Sequence, residues 1–123
     1  MPASPSRRPL GDDGLPAQPP NVDIVRRLAR AWQFRIETGS HADVLLSKWG
    51  LLPSDVRHCI LNGRCDEYEE DEQSKAWDGW KYIFTGPSEQ GEVQIEMYVV
   101  VKIRGHEQPE RLFIITAHAQ AQG

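Results

Sequence analysis

The spacing of apolar residues changes from a helical to a strand-like period at Gly63, and this change predicts the architecture of the chain. Before Gly63, apolar side chains recur three and four positions apart, which is typical of helices with one buried face. After Gly63, apolar and polar side chains alternate, as expected for strands that rest one face on a core. The pattern therefore predicts helices first and a sheet second.

Three helices are predicted, and each carries a start or stop signal. The first follows the N-cap residue Asn21, and the second begins at Ser40, with Asp43 completing a capping box. The third opens at Pro53 and ends at Gly63. The apolar stripes that we expect to face inward contain Val25, Leu28, Ala29 and Trp32 in the first helix, Ala42, Leu45, Leu46 and Trp49 in the second, and Val56, Cys59 and Ile60 in the third.

The strands are predicted from alternation and from the turns that separate them. Short connections between consecutive strands favour an antiparallel meander. We therefore expect an α+β fold, with the helices packed on one face of a mostly antiparallel sheet of four or five strands. The predicted strands are a short one over 33–38, between the first two helices, and four after Gly63 over 65–69, 80–85, 94–104 and 112–118.

Composition predicts a single domain between two unstructured ends. Residues 1–20 contain six of the nine prolines and almost no large apolar side chains, which is typical of a disordered tail. The α+β domain is expected over 21–119, followed by a flexible C-terminus over 120–123. No apolar run approaches the roughly 20 residues of a membrane helix, and no secretory signal follows the first arginines. These features predict a cytoplasmic protein without a membrane partner.

Charge is unevenly distributed along the chain, whose formal net charge is −4. Residues 22–58 contain six basic and four acidic side chains, whereas residues 64–78 contain two basic and seven acidic ones. Because binding to nucleic acid draws on Lys and Arg at the phosphates, an acidic protein can bind RNA only if its charges are segregated in this way. The same two segments are equally compatible with ordinary solvated surfaces.

Four sequence features occur in an order that is familiar from one protein family. They are the pair His41-Ala42, a helical segment that stops at Asn62-Gly63 before an acidic strand, the strand 97–101 (MYVVV) and the closing strand 114–118 (IITAH). In this order they resemble a bacterial family of uncharacterised small domains that is grouped with RelE-like toxins. The resemblance covers 34–118 and implies a RelE-like fold and a toxin that cleaves RNA without a metal. The family often has His where Tyr98 stands and Tyr where His118 stands.

Metal-independent cleavage of RNA needs a base for the 2′-hydroxyl proton, an acid for the leaving oxygen and a nearby cation. Imidazoles titrate close to neutral pH, so His41 and His118 are the candidate base and acid. Tyr98 is a further candidate acid or a donor to a phosphate oxygen. The candidate RNA-binding residues are Lys48, Arg57, Lys81 and Lys102, together with Thr116, which is expected to share a strand face with His118.

Two different functions remain open on the sequence. The first is a metal-independent endoribonuclease that acts on RNA or the ribosome, and the second is a non-catalytic protein-interaction module whose partner is an antitoxin or another protein. The module would use the acidic segment 66–78 beside Trp77 and Trp80. No cofactor is predicted, and neither the histidines nor the pair Cys59 and Cys65 has the spacing of a metal site. Both cysteines are instead expected to be buried.

Overall fold

The computed structural model describes residues 19–73, 75–89 and 95–120 of the chain. Over these residues the predicted α+β fold is confirmed, with three helices and a five-stranded sheet. Most of the predicted tail, residues 1–18, and residues 121–123 of the predicted C-terminus lie outside the described residues. In chain order the elements are α1 (Val22–Arg30), β1 (Phe34–Arg35), α2 (His41–Trp49), α3 (Pro53–Asn62), β2 (Arg64–Glu70), β3 (Trp80–Pro87), β4 (Glu96–Gly105) and β5 (Pro109–Ala119).

The strands are arranged in the order β1-β5-β4-β3-β2. The predicted antiparallel meander is confirmed for β2 to β5. Strand β1 is shorter than the predicted 33–38 and pairs with β5 in parallel, with Phe34 opposite Leu112. A parallel pair requires a long crossover. Here the connection between the two strands includes both α2 and α3, so β1 has room to join the sheet in this direction.

The helices bury their apolar side chains against one face of the sheet. Three residues of the predicted stripes are exceptions, since Trp32 is 53% exposed, Trp49 is 47% exposed and Leu45 is only half-buried. Trp32 lies beyond the end of α1 with a φ angle of 60°, so the helical period no longer determines its direction. The buried core on this face contains Val25, Leu28, Ala29, Ala42, Leu46, Val56, Cys59 and Ile60 from the helices and Tyr82, Phe84, Met97, Val99, Val101, Ile103, Leu112 and Ile114 from the strands.

The start of α2 differs slightly from the predicted capping box. The Ser40 hydroxyl accepts a hydrogen bond from the Asp43 backbone N–H at 3.2 Å, as expected. The Asp43 carboxylate, however, accepts from the N–H of Gly39 at 2.7 Å rather than from that of Ser40. The two bonds still satisfy donors at the beginning of the helix, so His41 is held as its first residue.

Gly63 lies where α3 passes directly into the sheet, and the backbone there is too crowded for a side chain. A Cβ atom at this position would lie 2.4 Å from the carbonyl oxygen of Thr85 and 2.5 Å from that of Cys59. Only glycine permits this approach between the end of α3 and β3. The residue at which the sequence period changes is therefore also a close contact between the helical layer and the sheet.

Candidate functional site

The sheet face opposite the helices carries most of the polar and charged side chains of the strands. In β4, Met97, Val99 and Val101 belong to the helix-covered core, so the intervening residues point to the other side. We call this side the open face. In register across the strands, it consists of Glu67 and Glu69 from β2, Lys81, Ile83 and Thr85 from β3, Tyr98, Val100, Lys102 and Arg104 from β4, and Arg111, Phe113, Thr116 and His118 from β5.

Tyr98 and His118 lie directly opposite each other at one end of the open face. Their rings are stacked, with centroids 5.2 Å apart and an interplanar angle of 25°, and both side chains are half-buried. The Nδ1 atom of His118 lies 2.8 Å from the carbonyl oxygen of Ala119. Because a carbonyl oxygen only accepts, Nδ1 carries the proton in the neutral ring and Nε2 carries the lone pair. Thr116 lies on the same face, two residues before His118.

His41 belongs to a different part of the site. It is exposed and lines a cavity of about 330 Å³ together with Lys81, Lys102 and Phe113. Lys102 is four residues beyond Tyr98 on the same strand and face, which corresponds to about 13 Å. The structure thus brings His41 together with two of the predicted RNA-binding lysines, and Tyr98 together with His118, but it places the two groups apart.

Lys102 is held in a buried ion pair with Asp71, which comes from the loop after β2. The Lys102 Nζ atom lies 3.3 Å from Asp71 Oδ2, and both side chains are 3% exposed. Asp71 also accepts from the backbone N–H groups of Lys75 at 3.0 Å and Ala76 at 2.8 Å. Burial alone would raise the pKa of Asp71, but these N–H donors and the Lys102 ammonium hold it below its ordinary value. The ion pair therefore fixes the loop on the open face.

The other predicted RNA-binding lysine of this face, Lys81, is more accessible. Its Nζ atom lies 3.7 Å from Glu69 Oε1, and its side chain is 26% exposed. Lys81 and Lys102 lie directly opposite each other on β3 and β4. Each lysine has its own carboxylate partner, so the two like charges can occupy neighbouring positions.

Two of the predicted RNA-binding residues, Lys48 and Arg57, lie in the helical layer. Lys48 is exposed in the last turn of α2. The Arg57 guanidinium donates to the carbonyl oxygens of Ala29 at 3.1 Å and Arg30 at 2.9 Å, and it lies 4.7 Å from the centre of the Trp32 ring. Arg57 therefore closes the C-terminal end of α1 and does not reach the open face.

The acidic segment predicted as a protein-binding surface is partly used inside the fold. Asp71 is buried, and Asp78 accepts from the side-chain amide of Asn21 at 2.8 Å and from the Tyr82 hydroxyl. Burial, followed by the neighbouring Asp78 carboxylate, raises the pKa of Tyr82. Both Trp77 and Trp80 pack partly against the core. The acids of this segment that remain exposed are Asp66, which pairs with Arg64, together with Glu70 and Glu72.

Sequence reasoning missed a second group of side chains at the other end of the open face. Arg104 lies opposite Arg111, and its guanidinium carbon is 4.6 Å from the centre of the Phe113 ring. Both arginines line a second cavity, of about 360 Å³, next to the hairpin between β4 and β5. The alternation in β4 places Arg104 on the face of Tyr98, but the sequence does not indicate which residue of β5 lies opposite.

Comparison with known proteins gives no identity for the chain. The chain matches no protein family, no curated protein and no solved structure. Within residues 19–73, 75–89 and 95–120, no group of three or more His, Cys, Asp or Glu side chains is arranged to hold a metal ion. In the same residues, no helix has the length and apolarity that a membrane span requires. The two cysteines are free and buried, and burial raises the pKa of each thiol to about 12.

Proposed function

We propose that the protein is a metal-independent endoribonuclease of the RelE-like kind, which acts in the bacterial cytoplasm and binds RNA on the open face of its sheet. The observation that supports this most strongly is the contact between Tyr98 and His118. This contact brings together two side chains of types that can transfer protons. Other aromatic and cationic side chains lie on the same face of the sheet. The hydrogen bond from His118 Nδ1 leaves Nε2 as the basic atom.

In this mechanism His118 is the general base and Tyr98 the general acid. The Nε2 atom of His118 takes the proton of a ribose 2′-hydroxyl, and the 2′-oxygen forms a bond to the adjacent phosphorus. The bond from phosphorus to the 5′-oxygen breaks, and the Tyr98 hydroxyl gives its proton to that oxygen. The products are a 2′,3′-cyclic phosphate and a 5′-hydroxyl. Solvent then returns a proton to Tyr98 and removes the one gained by His118.

The rest of the open face supplies the contacts that hold single-stranded RNA. Phe113 is a half-buried aromatic surface on which a base can stack, and stacking of this kind tolerates many sequences. Lys81 and the exposed His41 can donate to phosphate oxygens beside it. Lys102 and Tyr98 are about 13 Å apart along β4. The row of residues beside Lys102 would bind the RNA, and the row that contains Tyr98 and His118 would cleave it. The RNA is therefore expected to cross the face from one row to the other.

The proposal is tested by incubating the purified protein with end-labelled single-stranded RNA in the presence of EDTA. Cleavage should continue with the chelator, and mass spectrometry should find cyclic phosphate ends. Loss of a general acid or base lowers a rate by about 10²–10⁴-fold, and we expect this for His118→Ala and for Tyr98→Phe. In cells, expression of the unmodified protein should slow growth, and His118→Ala should relieve the effect.

The matched control is His58→Gln, because His58 lies on α3 and its ring contacts the carbonyl oxygen of Pro87 at 3.2 Å. This variant should cleave RNA at the unmodified rate. Circular dichroism of all three variants shows whether they keep the fold. Full cleavage by folded His118→Ala, or complete loss of cleavage with EDTA, would refute the mechanism.

The alternative, a non-catalytic interaction module, is supported by a separate observation. Strand β2 is at the edge of the sheet, and exposed carboxylates stand at and just beyond its end, on Glu70 and Glu72. An exposed edge can accept a strand from a partner such as an antitoxin. Reversing both charges with Glu70→Lys and Glu72→Lys should then abolish capture of that partner while leaving the unfolding midpoint unchanged. Unchanged capture would remove this alternative.

A further inference from the structure

The pairing of Arg104 with Arg111 at the hairpin end of the open face is unusual. The two residues are directly opposite on β4 and β5. Like charges in this position destabilise a sheet unless something compensates them. In the part of the chain that the structure describes, neither arginine forms an ion pair with a carboxylate. Instead, the guanidinium carbon of Arg104 lies 4.6 Å from the centre of the Phe113 ring.

The hydrogen bonding of Arg104 is also incomplete. Its Nε atom is buried and has no acceptor among the described residues. A buried donor without a partner is costly, and each one calls for an explanation. The cavity of about 360 Å³ beside it is lined by Lys75, His106 and Arg111 as well, with Glu110 as the acidic side chain. Three permanent positive charges therefore surround one negative charge.

The hairpin backbone holds the two arginines in place. The register shifts between Arg104 and Gly105, and a Cβ atom on Gly105 would lie 2.1 Å from the carbonyl oxygen of Gln108. Only glycine fits this tight turn. Because the turn is fixed, the two guanidinium groups emerge from rigid strands and not from a loop, which limits how far they can separate from each other.

We infer that this cavity binds a phosphate group. Guanidinium groups bind phosphate through two parallel N–H···O bonds, and a phosphate bound by Arg104 and Arg111 would neutralise the repulsion between the two arginines. Lys75 and His106 add donors at the exposed side. The site is six residues, or about 20 Å, from Tyr98 on the same strand and face, so it binds a phosphate that is not the one cleaved.

The test is a titration with inorganic phosphate at constant ionic strength, followed through the side-chain Nε–Hε signals of arginine in NMR spectra. The signals of Arg104 and Arg111 should shift and saturate, while that of Arg64, which is paired with Asp66, should not. A charge-assisted hydrogen bond corresponds to roughly tenfold or more in affinity, so Arg111→Ala should weaken binding by at least about tenfold. Arg64→Ala is the matched control and should bind phosphate normally.

Two results would overturn the inference: no shift at Arg104 and Arg111, or equal, unsaturated shifts at every arginine. The variant Arg104→Lys keeps the charge but loses the two-pronged geometry, so it separates specific binding from general attraction. If it binds phosphate as tightly as the unmodified protein, a built site is excluded. Circular dichroism establishes that each variant is folded.

A second titration, with an RNA hexamer, identifies the source of the phosphate. If the site holds an RNA phosphodiester, replacing both arginines by alanine should lower the dependence of binding on salt by about 2 in log–log slope. If the double variant binds RNA with an unchanged salt dependence, while inorganic phosphate shifts the two arginine signals of the unmodified protein, the ligand is a free phosphate. His118→Ala should retain phosphate binding in either case. The inference about the site can therefore fail separately from the proposed cleavage.

Discussion

The two faces of the sheet differ in how their side chains are buried. On the helix-covered face, Phe84, Val99 and Ile103 are fully buried by apolar neighbours. On the open face, Tyr98 and Arg104 of β4 are half-buried, and a lysine, Lys102, is buried beside Val100. Since the helices already cover one complete apolar face of the sheet, the side chains of the open face do not have to be apolar. Its charged and aromatic residues are therefore the ones whose identity points to function.

The charged side chain that departs from this contrast is Lys102, which is as buried as the core although it lies on the open face. Its charge is compensated there by Asp71, which also organises the loop that covers it. Two kinds of stabilisation thus exist on the two sides of one strand. One depends on apolar volume, and the other depends on charge and consequently on pH.

The largest expected effect is a loss of stability, and it distinguishes the two faces by the side-chain volume that each one buries. Phe84→Ala removes a fully buried ring from the helix-covered face and should lower the free energy of unfolding by about 3–5 kcal/mol. Phe113→Ala removes the same atoms from the open face, where the ring is half-buried, and should cost about half as much or less. Urea denaturation of both variants measures the difference. Equal losses would mean that the open face is packed like the core.

The second effect concerns the buried ion pair. Asp71→Asn leaves the Lys102 ammonium without a counter-charge and should cost about 3 kcal/mol, measured by urea denaturation at pH 7. Replacing both partners, with Asp71→Leu and Lys102→Met, should restore most of that loss because no buried charge remains. A double variant that is less stable than Asp71→Asn would show that the backbone bonds of Asp71 matter more than its charge.

The same pair gives the open face a dependence on pH. The folded-state pKa of Asp71 is lowered, so its contribution to stability is complete above the pKa of an unfolded aspartate, about 3.9. The contribution is lost as the pH falls through the lower folded-state pKa. The difference in unfolding free energy between the unmodified protein and Asp71→Asn should therefore shrink as the pH is lowered from 6 to about 3. A constant difference over this range would contradict the assignment.

Much of this contrast follows from the sequence, because the alternation in β4 identifies both faces. Met97, Val99 and Val101 point to the helices, which leaves Tyr98 and Lys102 on the other side. Alternation is a local property of an extended chain, so it can be read without knowing the neighbouring strands. The same holds for the order of helices and strands around Gly63.

What could not be predicted depends on contacts between distant residues. The burial of Lys102 requires Asp71, which is 31 positions away, and a formally charged residue is normally expected at the surface. The grouping of Tyr98 with His118 apart from His41 depends on the strand register and on where α2 begins. The helical stripe predicts Trp32 in the core, and this is wrong because Trp32 lies past the end of its helix, where the period no longer applies.

A smaller effect is expected at Arg57, whose role lies in the helical layer. Arg57→Ala removes two hydrogen bonds to the end of α1 and a contact with Trp32, and should lower stability by about 1 kcal/mol. The control is Arg27→Ala, because Arg27 is an exposed residue of α1. It should change the stability by less than about 0.5 kcal/mol. Thermal unfolding compares the two. RNA binding by Arg57→Ala should be normal, and a loss of affinity would place RNA on the helices.

The smallest effect separates two lysines that are both predicted from the sequence to bind RNA. Lys81 is on the open face and Lys48 is on α2. If RNA crosses the open face, Lys81→Ala should reduce the salt dependence of RNA binding by about 1 in log–log slope, because one phosphate contact is lost. Lys48→Ala has the same change in net charge but should leave the slope unchanged. Equal reductions in both variants would show that RNA responds only to total charge, and the distinction between the two faces would then have no part in binding.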